Sequence, residues 1–323
     1  MSDESIVYLG CTEAGYEVCR RLLADGAPVD EIVSLRPEQA ARNDVSGYYS
    51  FEPLAADHGV PTYYPETYGM DTDADIGHFR DLDADLLVVN GWQRLVPGEI
   101  LRTSTRGALG VHGSAYGLPK GRGRSPMNWS LVEDLDRFLL SLILLDEGVD
   151  SGDIVATTKY EITDHDDIRT LYYKLAVATA RMLFETLDPV LSGDHQVEDQ
   201  VGEATYYPKR TPDDGAINWH DRTRDVYNLV RAVARPYPGA FTQYDGRRVL
   251  VWDAIPFSDD LRYDADPGTI VEHFPTRGEF VVKTADGTLL VTDWEAPDWT
   301  PEAGAELRSF GEPDRVDRPD THE

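Results

Sequence analysis

Lysine is almost missing from this chain. Among 323 residues it occurs only at Lys120, Lys159, Lys174, Lys209 and Lys283. Arginine supplies the other cations, yet Lys and Arg together number 30 against 59 Asp and Glu, for a formal net charge of −29. A surface of that sign repels phosphate backbones, so nucleic-acid binding would need a localised basic stripe. Acid-rich, lysine-poor surfaces keep a protein hydrated in concentrated salt, which predicts a halophilic source. In molar salt the Debye length shrinks to about 3 Å, and the charge argument against RNA weakens. Cysteine is nearly absent too. Cys11 and Cys19 are the only two, both in an apolar β-to-α segment, and read as small buried hydrophobes in a reducing compartment, with a disulfide between them as the alternative. No apolar run approaches the ~18 residues of a membrane span. The opening MSDESIVYLG has no basic n-region and enters a strand at once, which argues against a signal peptide. A cytoplasmic location is the expectation. The histidines do not pair at metal-ligand spacing, so no metal site is expected.

What is present alternates. IVYLG (6–10), EIVSL (31–35), VPTYY (60–64) and DLLVVNGW (85–92) read as strands, and GYEVCRRLLADG (15–26) as a helix between the first two. RFLLSLILLDEG (137–148) reads as one or two buried strands, and 168–191 as a long helix packed on the sheet. This order predicts an α/β catalytic domain with a Rossmann-like, mostly parallel sheet over residues 1–195. Residues 196–215 are polar and turn-rich and are expected to be a linker. A helix at 224–236 and evenly spaced strands then predict a small OB-like β-barrel over 216–311, before a disordered acidic tail at 312–323.

GCTEAG (10–15) lacks the second glycine of a dinucleotide fingerprint and reads better as a tight strand-to-helix turn. Two other stretches carry more. GVHGSAYGLPKGRGRSPMNW (110–129) crowds glycine, proline and cations around His112, and LLDEGVDSGDIV (144–155) places Asp150 at a turn after an apolar run. Each alone reads as an ordinary loop or turn. In open α/β sheets, however, ligands bind outside the carboxyl ends of strands. If the strands ending near 90, 112 and 150 are parallel neighbours, Asn90, His112 and Asp150 converge on one crevice. An imidazole beside a carboxylate is equipped to move a proton and to hold oxyanion charge in acyl transfer.

These residues resemble a known family. HGSAYGLPKGRGRSPMNW is similar to the signature of formyltransferases of the methionyl-tRNA formyltransferase type, EGVDSGDIV to their second signature, and KRTPDDGAINW and NLVRAVARPYPGAF to the segments leading into their C-terminal barrel. The likeness covers nearly the whole chain and leans toward the branch that N-formylates nucleotide-linked amino sugars. It implies 10-formyltetrahydrofolate as formyl donor and co-substrate, with direct attack of a primary amine and a tetrahedral intermediate. His112 and Asp150 would be catalytic, with Asp150 orienting His112. Gly91, Trp92 and Leu95 are the candidates for the folate pocket, and Ser114, Arg122, Arg124 and Asn128 for acceptor binding. Two departures stand out. The family's Asn two residues before the His is Gly110 here, and Asn90 is the candidate to supply the missing amide, with a backbone N–H or a merely polar strand end as alternatives. The SAYGLP turn is also two residues longer than usual.

The implied acceptor is a small-molecule amine, a sugar nucleotide. Methionyl-tRNA is the alternative, with Arg122, Arg124, Arg247 and Arg248 the few cations available to it. A non-catalytic module holding folate or a sugar nucleotide is a further alternative, and a formate-releasing hydrolase a variant. The second domain is compatible with clamping an acceptor, contacting RNA or forming a homodimer. No membrane partner is expected.

Overall fold

The computed structural model describes residues 4–310, so the tail expected at 312–323 lies outside the described residues. Elements in chain order are β1 (Ile6–Leu9), α1 (Glu13–Ala24), β2 (Val29–Val33), α2 (Pro37–Arg42), α3 (Glu52–His58), β3 (Thr62–Tyr63), α4 (Asp73–Leu82) and β4 (Leu86–Val89). Then come α5 (Gly98–Leu101), β5 (Ala108–Ser114), β6 (Arg122–Gly123), α6 (Pro126–Val132), β7 (Arg137–Leu144), β8 (Ile154–Glu161) and α7 (Ile168–Ser192). The last are β9 (Tyr206–Tyr207), α8 (Thr223–Ala232), β10 (Ala240–Tyr244), β11 (Arg247–Ser258), β12 (Ile270–Phe274), β13 (Glu279–Lys283) and β14 (Thr288–Glu295). Two units result. The first holds the residues up to Gly123, Phe138–Tyr160 and Tyr172–Tyr206; the second holds Arg124–Arg137, Glu161–Leu171 and the chain from Tyr207.

The first unit is built on a seven-stranded sheet in the order β3-β2-β1-β4-β5-β7-β8. β1 pairs in parallel with β2 and β4, and β4 in parallel with β5. All four side chains of β1, IVYL, are buried, as a strand covered on both faces requires. β7 runs antiparallel to β5, with His112 opposite Ser141 and Gly110 opposite Ile143. The three strands leading to the candidate site are therefore not all parallel, and Asp150 reaches it by another route, described below. RFLLSLILLDEG yields one strand, and the helix read at 168–191 spans Ile168–Ser192.

Local chemistry fixes the helix starts. Thr12 caps α1, its hydroxyl accepting from Gly15 N, and Thr72 caps α4 in the same way through Asp75 N at 3.0 Å. Asp75 itself is wholly buried and accepts from Tyr63 Oη at 2.7 Å and Glu66 N at 2.9 Å, which ties the short edge strand β3 to α4.

The second unit carries a five-stranded antiparallel sheet in the order β10-β11-β14-β13-β12. Trp219 is fully buried, and its indole N–H donates to Thr242 Oγ1 at 3.2 Å. α6 belongs to this unit: the Asn128 side-chain amide donates to the Ala232 carbonyl of α8 at 2.6 Å. No helix among the described residues is long and apolar enough to cross a membrane.

Cys11 and Cys19 are both free and fully buried. Burial pushes the Cys11 thiol up to about 11, and drives Cys19 further in the same direction. A thiol without thiolate is a poor nucleophile. Neither cysteine should therefore react with a thiol-specific reagent in native buffer, and both should react once the chain is unfolded in guanidinium; labelling counted by mass spectrometry checks this.

Candidate active site

His112 sits near the end of β5 with its side chain almost covered, 9% exposed. Its Nδ1 lies 3.3 Å from Asp150 Oδ1, and its Nε2 lies 3.0 Å from the Gly121 carbonyl oxygen. Both neighbours are acceptors only. A neutral imidazole carries one N–H, so only the imidazolium donates on both sides at once. The ring is thereby clamped between a carboxylate and a peptide, in an orientation that neither contact alone would fix.

Backbone geometry builds the clamp. Gly121 and Gly123 take left-handed φ values of 78° and 96°, which turn the Gly121 carbonyl toward His112 and the Gly123 N–H toward Asp150. That N–H donates to Asp150 Oδ2 at 2.9 Å, so each carboxylate oxygen has its own partner. Asp150 is itself left-handed, with φ 51°, a conformation uncommon outside glycine and asparagine-like residues. The strand β7 ends at Leu144, and residues 145–153 return before β8 begins; the Leu144 N–H donates to the Asp153 carbonyl at 2.9 Å, closing this loop at its base. Asp150 thus meets His112 from a loop folded back after an antiparallel strand.

Gly110 explains the missing family asparagine. A Cβ on Gly110 would lie 2.6 Å from Leu145 Cδ2 and 3.0 Å from Leu145 Cγ. The leucine occupies the space that a side chain at 110 would need, on the same face of β5 as His112 two residues on.

The other expected residues are placed as follows. Asn90 follows β4 and is 4% exposed; its amide nitrogen has no hydrogen-bond partner, and its side chain makes no bond to His112 or Asp150. Its peptide is pressed by the β1–α1 turn: a Cβ on Gly10 would lie 2.7 Å from the Asn90 carbonyl oxygen, and one on Gly15 would overlap it. The tight-turn reading of GCTEAG accords with this contact. Gly91 is left-handed at φ 79°, and its carbonyl accepts from Cys11 N at 3.2 Å. Trp92 is 8% exposed, packs edge-on against Tyr68 at 5.0 Å, and leaves its buried indole N–H unpartnered. Leu95 is 59% exposed. Ser114 is fully buried and its hydroxyl donates to the Lys120 carbonyl at 2.6 Å, closing the SAYGLP turn.

Arg122 is engaged on every side: Nε and Nη2 donate to Gln200 Oε1 at 3.1 and 2.6 Å, and Nη1 to Tyr206 Oη at 3.2 Å. Arg124 and Asn128 fall in the second unit; Arg124 is exposed, and Asn128 is buried on Ala232. Sequence reading missed Leu145, Gly121, Gly152 and Gln200. The glycine crowding of the 110–123 stretch was the one available signal, and it concerned only Gly121. Among the described residues no group of three or more His, Cys, Asp or Glu could hold a metal ion.

A family model described as formyl transferase matches residues 54–187, and one described as formyl transferase, C-terminal domain, matches residues 209–307. Among solved structures, HypX from Aquifex aeolicus in complex with tetrahydrofolic acid is 18% identical with a TM-score of 0.64, covering 90% of this chain and 44% of that one. This chain thus spans less than half of the HypX chain. An N-formyltransferase from Helicobacter canadensis, in complex with folinic acid and dTDP-3-aminofucose, is 13% identical with a TM-score of 0.63 over 90% of this chain and 100% of that one. Methionyl-tRNA formyltransferase from Clostridium thermocellum is 15% identical with a TM-score of 0.56, over 91% and 99%.

Proposed function

Since the chain belongs to the formyl transferase family, we propose that it moves a formyl group from 10-formyltetrahydrofolate to the primary amine of a nucleotide-linked sugar. The observation that carries this reading is the His112–Asp150 pair, 3.3 Å apart near the end of the interior strand β5. In this reading Nε2 is the working nitrogen. Its partner in the free protein, the Gly121 carbonyl at 3.0 Å, is replaced by the formyl oxygen when donor binds. A donor N–H is then already aimed at the atom where negative charge gathers, which is the arrangement that stabilises an oxyanion without reorganisation. Asp150 holds the ring in place from Nδ1 and stabilises its charge. Removal of the amine proton is left to water or to Asp150.

Tetrahydrofolate fits the end of β4 on one count: two buried donors there, Asn90 Nδ2 and Trp92 Nε1, lack any partner. Buried polar groups are nearly always satisfied, and a pteridine edge offers acceptors to such groups. Gly91 and Leu95 complete the pocket in this proposal. Bound there, the folate supplies the activated formyl group. Asn90 would bind donor and would not replace the missing family asparagine, whose place Leu145 fills. In the second unit we read the five-stranded sheet as the OB-type barrel of the family.

The acceptor assignment rests on charge. With a net charge of −29 and Arg122 already spent on Gln200 and Tyr206, few cations remain for an RNA backbone, whereas a nucleotide-linked sugar needs one or two. Two supporting solved structures are sugar N-formyltransferases. Incubation of the protein with 10-formyltetrahydrofolate and, separately, amino-sugar nucleotides or charged initiator tRNA tests this. Formylated sugar nucleotide is the expected product; formylation of tRNA alone overturns the acceptor reading, and release of tetrahydrofolate with no amine product marks a hydrolase. The assay should be run in molar KCl as well as dilute buffer, because an acidic, lysine-poor surface of this kind points to a halophilic setting.

A further inference from the structure

The polar stretch after α7 does more than connect. Its Glu198 pairs with Ile154 through two backbone hydrogen bonds of 2.8 Å, and its Thr205 takes the Gly121 N–H on Oγ1 and the Arg122 N–H on its carbonyl, both at 2.9 Å. Between these anchors lies Gln200, and every hydrogen-bonding capacity of its carboxamide is used. Nε2 donates to the Asp150 carbonyl at 2.9 Å and the Gly152 carbonyl at 2.7 Å, while Oε1 accepts twice from Arg122, at 3.1 and 2.6 Å. Two donors and two lone pairs are all an amide has.

We propose that Gln200 is a positioning residue that sets the distance between the two partners of His112. One side of its amide holds the loop that carries Asp150, the neighbour of Nδ1. The other side holds Arg122, which adjoins Gly121, the neighbour of Nε2. No other side chain among the described residues bonds to both. Asp150 stands at φ 51°, a conformation that persists where surrounding bonds over-determine it, and the Gln200 donors supply two such bonds to its peptide and the next but one. Loss of the amide leaves the Gly123 N–H bond to Asp150 Oδ2 to tie the carboxylate to the Gly121 segment, and with the two backbone bonds to the Asp150 loop gone the imidazole is held less firmly in direction.

This proposal rests on the formyl-transfer reading for its kinetic arm only. The experiment compares the intact chain carrying Gln200→Leu or Gln200→Glu with wild type and with Gln196→Leu, an exposed glutamine of the same stretch. Two quantities are read: the ring 15N and 1H signals of His112, assigned by their absence in His112→Asn, and steady-state kinetics. Gln200→Leu removes all four bonds. Gln200→Glu, nearly the same size, keeps the acceptor for Arg122 but sets a carboxylate against two carbonyl oxygens. Both should shift or broaden the His112 ring signals and lower kcat by about 10- to 100-fold, as small misplacements of a reacting group do, with KM for the folate unchanged. Gln196→Leu should match wild type in both. Unmoved ring signals in both Gln200 variants overturn the proposal, as does a lower melting temperature with unchanged kcat, which would make Gln200 scaffold only. If Gln200→Leu fails to fold, Gln200→Glu decides by the same readouts. If wild type transfers no formyl group, the ring signals decide alone: shifted signals keep Gln200 as the positioning residue while the formyl-transfer reading falls.

Discussion

His112→Ala should lower kcat for formyl transfer by about 10²- to 10³-fold, the usual cost of deleting one oxyanion donor from a preorganised site. The ring is only 9% exposed, so its removal also empties buried space, and a lower melting temperature should accompany the loss of rate. Asp150→Asn should approach the same loss through a different route. The carboxylate accepts on both oxygens, from the His112 side at Oδ1 and from the Gly123 N–H at Oδ2, 2.9 Å away. An asparagine amide can keep its oxygen on the Gly123 N–H and turn its NH2 toward Nδ1, but that bond needs an unprotonated Nδ1. The ring is then held neutral, and the carboxylate that would stabilise its cation is gone. Measured kcat and KM with the purified variants, alongside melting temperatures, separate a chemical loss from a folding one; a wild-type kcat in both variants would remove His112 and Asp150 from the chemistry.

Gly152→Ala should be the most damaging methyl group that can be added near the site. A Cβ there would overlap the Leu144 carbonyl oxygen, with the Leu144 carbonyl carbon at 2.7 Å and Leu145 Cα at 3.4 Å. These are backbone atoms at and just past the end of β7, a strand flanked on both sides in the sheet, and cannot swing aside as a side-chain tip does. Overpacking of this kind costs about 1–3 kcal/mol. The loop can relieve it only by moving away from β7, and Asp150 moves with it. The expectation is therefore a lower melting temperature together with a kcat reduced by about 10²-fold. Gly77→Ala makes the comparison, since Gly77 lies within α4 with open space around it and an ordinary helical φ; there the substitution should stabilise by about 0.4–1 kcal/mol. Equal melting temperatures for Gly152→Ala and wild type would show that the loop has room the distances deny.

The two residues at the centre were legible because each lies in a stretch whose composition breaks sharply from the apolar run before it. His112 ends such a run in β5, and Asp150 stands in a turn-forming DSGD after another. Their meeting was legible only through the family resemblance, since the geometric expectation of three parallel strands did not anticipate that β7 runs antiparallel to β5. Strand direction depends on the crossover between two strands, and a strand's own residues do not encode it. Gly110 was visible as an oddity, but the residue that crowds it, Leu145, lies much later in the chain, just past the end of the neighbouring antiparallel strand β7. Gln200 had no local signal at all. A glutamine in a polar, turn-rich segment reads as solvated until its three partners, up to 78 positions away along the chain, are placed around it. Ser114 and Asn128 show the converse: side chains with the right chemistry for acceptor binding that the fold engages internally, on Lys120 and Ala232. The broad pattern of alternating elements was easier, because buried parallel strands such as β1 must be almost wholly apolar.

The helix α6 lies in sequence between two strands associated with the first unit, yet its buried amide finds its acceptor 104 residues later, on Ala232. A ribosome therefore delivers α6 long before its partner exists. During that interval the nascent segment must stay unlodged while β7, β8 and α7 emerge, so the second unit cannot be completed in the order in which it is synthesised. A premature stop between Val132 and Ala232 would leave the Asn128 amide without this acceptor, although every residue of the helix itself had been made.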